Sequence, residues 1–135
     1  MENSYPSRLI FPRAQRDAML AHLGGDHTQE RCGLLAGRQG RVVRVLPVPN
    51  SLHSPFAYRM DGPEFVEALK ACDWEPLGIY HSHLSAPAIP SATDIAEATY
   101  PEAIYVIVSF RVEPPALRSY RIMHGRVKEI EVLDE

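Results

Sequence analysis

Cysteine is scarce in this chain, with Cys32 and Cys72 the only two in 135 residues. Without a CxxC spacing between them they argue against a disulfide framework. Both read as buried free thiols, Cys32 in an apolar run and Cys72 on a helix face. Long apolar runs are missing too: nothing approaches the ~20 residues of a membrane helix. The opening stretch MENSYPSRLIFPRAQRD lacks the charged start and apolar run of a signal peptide. A soluble, cytoplasmic protein with no membrane partner is the expectation. Positive charge is not in excess, since 14 Lys and Arg stand against 17 Asp and Glu for a net charge of -3. That excludes a broad basic field for nucleic acid. Arg38, Arg41 and Arg44 come closest to a patch and read as solvated charge around a strand turn. Internal repeats, low-complexity tracts and linkers are also absent, so residues 1–135 are expected to form a single domain.

What is present alternates between strand and helix signals. Ser7 to Phe11 predicts a first strand, and Pro12 opens a helix to about Leu23, where Gly24-Gly25 ends it. Ala14, Ala18 and Ala21, with Leu20 beside them, are its expected apolar stripe. The run ERCGLLAGRQGRVVRVLPV predicts a hairpin turning at Arg38-Gln39-Gly40, its second strand stopped by Pro47 and Pro49. After a loop from Asn50 to Pro55, Phe56 to Met60 predicts a short strand. Pro63 opens a second helix with Phe65, Leu69 and Cys72 on one face. Pro76 to His83 is the next strand, Leu84 to Pro90 a loop and Ser91 to Tyr100 a third helix. Ala103 to Phe110 is apolar enough for a strand covered on both faces. Leu117 to Met123 and Arg126 to Leu133 close the chain as a hairpin around His124-Gly125. The sum is an α/β sandwich, a mixed β-sheet flanked by about three helices.

The informative stretch is GIYHSHLSAPAIPSATD, residues 78 to 94. On a strand, residues two apart point the same way, so His81 and His83 leave one face while Tyr80 and Ser82 leave the other. Two converging imidazoles are half of a tetrahedral zinc site. The spacing alone is weak, since a chain with six His shows an accidental His-x-His about once in four. Ser91 and Asp94 follow in the form of a helix N-terminus, Ser91 as the cap and Asp94 in the first turn. The loop before them is long enough to fold that helix start over the strand end, where Asp94 offers a third, oxygen ligand. Three protein ligands leave a position open for water, the mark of a catalytic zinc site. A carboxylate that moves the proton of such a water is still needed. Glu30, at the head of an apolar strand, is the candidate, provided that strand neighbours the histidine strand. His22, His27, His53 and His124 read as surface or loop residues, with His53 the one placed to approach the cleft.

His81-x-His83, seven residues, then Ser91-x-x-Asp94 resembles the metal motif of the JAMM (MPN+) metalloprotease family without a gap. The four-residue match arises by accident on the order of once in a thousand such chains. Glu30-x-Cys32-Gly33-Leu34-Leu35-x-Gly37 is similar to the family's glutamate strand. Asn50, Tyr58-x-Met60-Asp61 and YVIVSF extend the likeness to small bacterial and archaeal members, over roughly residues 7 to 133. The resemblance implies an MPN fold with a layout like that of cytidine deaminases, and one zinc ion per chain on His81, His83 and Asp94. It makes Glu30 general base and then acid, and Ser91 a donor to the oxyanion. Whether Ser91 serves as helix cap, as oxyanion donor or as both stays open at this level.

The chemistry implied is hydrolysis of an amide or isopeptide bond, often after the C-terminal glycines of a ubiquitin-like protein. Small stand-alone members resemble enzymes that act on prokaryotic ubiquitin-like sulfur carriers, releasing cysteine or freeing the carrier from a conjugate. The expected partner is therefore a carrier's extended C-terminal tail, docked along a strand edge by β-augmentation. The loop from Asn50 to Arg59 would form one wall. A non-catalytic MPN-type interaction module is the alternative. A relative of the RadC family would carry a basic face, and a nucleoside deaminase would need His-x-Glu with Pro-Cys-x-x-Cys; the chain has none of these.

Overall fold

Two tight turns set the hairpins. Gln39 and Gly40 take positive φ values of 54° and 78°, the paired left-handed conformations of a two-residue hairpin turn. They fold β2 (Cys32–Arg38) back on β3 (Arg41–Val48). His124 and Gly125, at 52° and 79°, do the same for β6 (Ala116–Met123) and β7 (Arg126–Asp134). The structure is a computed structural model describing residues 7–135. Residues 1–6, part of the stretch read against a signal peptide, lie outside it.

The remaining elements are β1 (Arg8–Phe11), α1 (Arg13–Gly24), α2 (Gly62–Ala71), β4 (Gly78–His83), α3 (Ala92–Ala96) and β5 (Ile104–Ser109). The sheet runs β1-β3-β2-β4-β5-β6-β7 and is mixed, as expected, with three helices around it. Beyond the expected sandwich, the sheet closes into a barrel. β1 lies parallel to β7 over four residue pairs and touches β3 through the single pair Ile10 and Arg41. Both partners are remote in sequence, so no local pattern signals the closure.

Two apolar clusters occupy opposite faces of the central strands. Leu9, Phe11, Met19, Leu23, Tyr80 and Val106 belong to one. Leu34, Ala68, Ile79, Tyr105, Ile107 and Tyr120 belong to the other. All six residues of β4 and all six of β5 are buried, which is why IYVIVS reads as one continuous apolar run.

Four local expectations need correction. The buried face of α1 is Met19 and Leu23, while Ala14, Ala18 and Ala21 are exposed. The larger side chains bury more apolar area per residue and set the rotation of the helix. Pro47 does not end β3 but lies within it, opposite Gly33. β1 leaves β3 after Arg41, so the outer side of β3 at Pro47 is an edge that requires no donor. Residues 56–60 form no strand; side-chain bonds from Asn50 hold them instead. The third helix stops at Ala96, not Tyr100. Pro101 disfavours helical backbone at Tyr100, whose N–H goes to the Tyr105 hydroxyl at 3.2 Å.

Gly33 is required by a close approach. It pairs with Tyr80 across β2 and β4, and a Cβ there would stand 2.5 Å from the Tyr80 ring. Tyr80 is fully buried and its hydroxyl bonds His22 Nδ1 at 2.8 Å. Gly33→Ala is expected to cost about 1–3 kcal/mol by overpacking, read as a lower urea midpoint at unchanged slope.

Candidate metal centre

β4 presents Ile79, His81 and His83 on one face and Tyr80 on the other, the alternation its sequence predicts. Both imidazoles are buried. His81 Nε2 and His83 Nε2 stand 3.1 Å apart, and Asp94 Oδ2 lies 3.2 Å and 3.1 Å from them. The expected third ligand is thus brought to the histidine pair. The loop after β4 turns back on itself through His83 Nδ1–H, which donates to the Pro87 carbonyl at 2.7 Å. A carbonyl only accepts, so Nδ1 carries a proton, and a cation at the cluster would meet the Nε2 lone pair of the neutral ring.

Ser91 and Asp94 form a reciprocal cap at the start of α3. Asp94 N–H donates to Ser91 Oγ at 3.0 Å, and Ser91 N–H donates to Asp94 Oδ2 at 2.9 Å. The cap fixes the same oxygen that faces the two imidazoles. Burial alone would raise the Asp94 pKa, yet hydrogen bonds from His81 and His83 outweigh it and hold the carboxyl well below the usual range. Burial lowers the His81 pKa, whereas for His83 the bonds to Asp94 and Pro87 overcome burial and raise it.

The condition set on Glu30 is met, because β2 is the antiparallel neighbour of β4 with Cys32 opposite His81. Continuing that register, Ser82 N–H donates to the Arg31 carbonyl, so Glu30 arrives beside His83. It is only 4% exposed, and its Oε1 has no hydrogen-bond partner among the described residues. Burial, reinforced by Asp94 and opposed by His83, raises its pKa to about 8. A buried carboxyl with an unpaired oxygen is costly for stability and common at functional sites.

Asn50 and Tyr58 complete the surroundings, and the sequence assigned neither a role. Asn50 Nδ2 donates to the carbonyls of Glu30 and Ala57, while its Oδ1 accepts from Leu52 and Arg59 N–H. One buried side chain therefore ties the Glu30 backbone to the loop beside the cluster. The only sequence signal was an Asn in a proline-flanked turn, where an Asx bond to the residue two ahead is favoured. Tyr58 stacks on His81 with centroids 4.3 Å apart, which brings the loop from Asn50 to Arg59 against the cluster. His53 is exposed in that loop and joins no ligand group among the described residues. Both cysteines are buried free thiols. Burial, helped by Glu30, pushes the Cys32 thiol up to about 12, which disfavours a free thiolate there near neutral pH.

The cluster fits a divalent cation. Ligand atoms about 2.0–2.1 Å from a tetrahedral metal stand about 3.4 Å from each other, close to the 3.1–3.2 Å separations here. Two imidazoles and one carboxylate are a donor set that suits zinc and leave one position open.

A family profile described as prokaryotic homologs of the JAB domain matches residues 12–123. The CysO-cysteine peptidase of Mycobacterium tuberculosis is 46% identical over 120 residues, covering 84% of this chain and 82% of that one. A probable TtuB-protein conjugate cleaving protease of Thermus thermophilus is 44% identical over 129 residues, covering 93% and 83%. Among solved structures, a JAB1/MPN domain protein from Archaeoglobus fulgidus superposes with a TM-score of 0.60 at 21% identity, over 94% of this chain and 99% of that one. At that identity it speaks for the fold.

Proposed function

This chain belongs to the prokaryotic homologs of the JAB domain and is a hydrolase of that family; we propose that it is a zinc peptidase cutting after the C-terminal Gly-Gly of a ubiquitin-like sulfur-carrier protein. The bond cut is a peptide bond to cysteine or an isopeptide bond to a conjugated protein. The observation that carries this reading is the convergence of His81, His83 and Asp94 beside the buried, unpaired Glu30. The relatives named for carrier-cysteine and conjugate cleavage support the substrate class. Residues 1–135 act as one catalytic domain on this reading.

His81 Nε2, His83 Nε2 and Asp94 Oδ2 would hold the zinc. When bound, zinc supplies a Lewis acid and brings the pKa of a water to near 7. Glu30 takes the proton of the attacking water and returns it to the departing amine, a role for which a carboxyl with a pKa raised toward neutrality is suited. The low-dielectric surroundings that raise that pKa also strengthen each charge interaction along the path.

Ser91 serves both of its candidate roles. A hydroxyl has one donor and two acceptor lone pairs. Accepting from Asp94 N–H uses a lone pair and leaves the O–H free to donate to the oxyanion. Ser91→Ala is expected to lower kcat by about 10²- to 10³-fold and to loosen the start of α3 by about 1 kcal/mol. Steady-state kinetics beside thermal unfolding checks both effects.

The deciding experiment incubates the zinc-loaded protein with sulfur carriers extended past Gly-Gly by cysteine or a short peptide, read by mass spectrometry. Cleavage after the glycines, lost in the chelator-treated protein, is the expected result. An intact carrier in the presence of stoichiometric zinc would overturn the substrate assignment.

A further inference from the structure

A cavity adjoins the metal cluster. It measures about 280 Å³ and is lined by Tyr58, Met60, Phe65, Ile79, Tyr100 and Tyr105, with Asp94 in its wall. Arg59 and Glu97 also border it. Its place along β4 follows from the register. Ile79 precedes His81 by two residues on the same face, so the cavity extends from the cluster along β4 to Ile79, about 7 Å from His81 toward the start of the strand. Glu30 lies in the opposite direction, beside His83 at the end of β4. The order along the strand is Ile79 in the cavity wall, His81, then His83 with Glu30, and Asp94 Oδ2 reaches both histidines.

We infer that this cavity receives the side chain of the residue immediately before the Gly-Gly of the tail, and that it selects an apolar aliphatic or aromatic residue there. The inference rests on the peptidase reading and deepens it. Glu30 must reach the departing amine, so the leaving group lies at the His83 end and the acyl chain runs toward Ile79. An extended chain advances 3.2–3.4 Å per residue. Two glycines therefore span about 7 Å from the scissile carbonyl, and the first side chain upstream of them falls at the mouth of the cavity. Glycines suit the intervening stretch, where the tail passes between Tyr58 and the start of α3.

The sheet itself offers the tail no edge at this point. β2, β4 and β5 are each paired on both sides, so the expected docking along a strand edge is not available beside the cluster. Residues 57–60 and the side chains around the cavity are what the acyl chain meets. Six of the eleven lining residues are apolar or aromatic, and Arg59, Thr93, Asp94, Glu97 and Thr99 are polar, so the site can gain affinity from buried area and take orientation from its polar rim.

The test uses six-residue peptides ending in X-Gly-Gly with a free C-terminus, the acyl-side product of the proposed cut. Leu, Gly or Asp stands at X. Binding to the zinc-loaded protein is followed by nuclear magnetic resonance. The Leu peptide is expected to bind about ten- to a hundred-fold more tightly than the Gly peptide, as burying one such side chain implies. The Asp peptide should bind no better than Gly, and only the Leu peptide should shift the ring signals of Tyr100 and Tyr105. Phe65→Ala removes part of the apolar wall and should reduce the Leu-to-Gly ratio to less than about threefold. Thr99 also borders the cavity and is exposed, so Thr99→Trp obstructs it without touching the core and should do the same. Equal affinities for Leu and Gly, no binding by either, or a Leu preference that survives both variants would overturn the inference. Cleavage of extended carriers with no preference at X would sink the cavity assignment alone. Preferential binding with every extended carrier left intact would sink the peptidase reading alone.

Discussion

Glu30→Ala is expected to abolish measurable turnover, by at least about 10²- to 10⁴-fold in kcat, while the protein still binds one zinc per chain. The asymmetry follows from placement. Glu30 stands two residues before the neighbouring strand β2, beside His83, and makes no hydrogen bond to a candidate ligand, so removing it leaves the three converging atoms in place. A truncation that only disturbed the fold would lower zinc stoichiometry and activity together. Activity measured beside metal content separates the two, and retained turnover would mean that another group moves the proton.

Glu30→Gln sharpens the same argument through stability. The Glu30 pKa rises to about 8 from an ordinary 4.5, chiefly through burial. Between those values the folded state holds a proton that the unfolded state has released, so stability falls as pH rises through this window. Each unit of separation is worth about 1.4 kcal/mol, which puts the full penalty on the order of a few kcal/mol. Glutamine has the shape of the protonated acid and no charge to desolvate. The metal-free Gln variant is therefore expected to equal the parent near pH 4.5 and to exceed it progressively up to pH 8. Urea unfolding at a series of pH values reads this directly. An inactive variant that is more stable than its parent is what a functional, poorly solvated carboxyl predicts.

The metal motif was legible because its geometry is local. A strand period of two aligns His81 with His83, and a cap signal places Asp94 in the first turn of α3. Glu30 needed one non-local fact, that β2 neighbours β4, which the residues alone could pose only as a condition. The hairpins were legible at Gln39-Gly40 and His124-Gly125 because left-handed turn residues act within two positions. Closure by β1 was not legible, since it depends on partners as far away as Asp134. The face of α1 was misread because three alanines make a periodic stripe without the buried area that Met19 and Leu23 supply. Asn50 escaped assignment because its four hydrogen bonds join segments from Glu30 to Arg59, and no periodicity marks a hub of that kind.

Asp94→Ala should remove zinc and activity together, with metal affinity lower by several orders of magnitude and turnover undetectable. Asp94 does two things with one oxygen. Oδ2 faces both imidazoles at 3.1–3.2 Å and also accepts Ser91 N–H at 2.9 Å. Alanine would delete the one carboxylate among the three candidate ligands, leaving two neutral rings to hold a dication, and would open the cap of α3. The cap loss alone costs about 1 kcal/mol, too little to account for absent metal. Asp94→Asn separates the two roles. Its amide oxygen can still accept Ser91 N–H and preserve the helix start, but it offers no charge to the cation. The Asn variant should therefore keep near-parental stability in the metal-free state and still lose zinc. If Asp94→Asn bound zinc as tightly as the parent, the carboxylate would be a capping residue and the third ligand would have to be sought elsewhere. If both variants lose zinc but only Asp94→Ala loses stability, the cap and the metal site are two functions of one side chain. That outcome is the one the geometry favours, because the bond that starts the helix also aims the ligand.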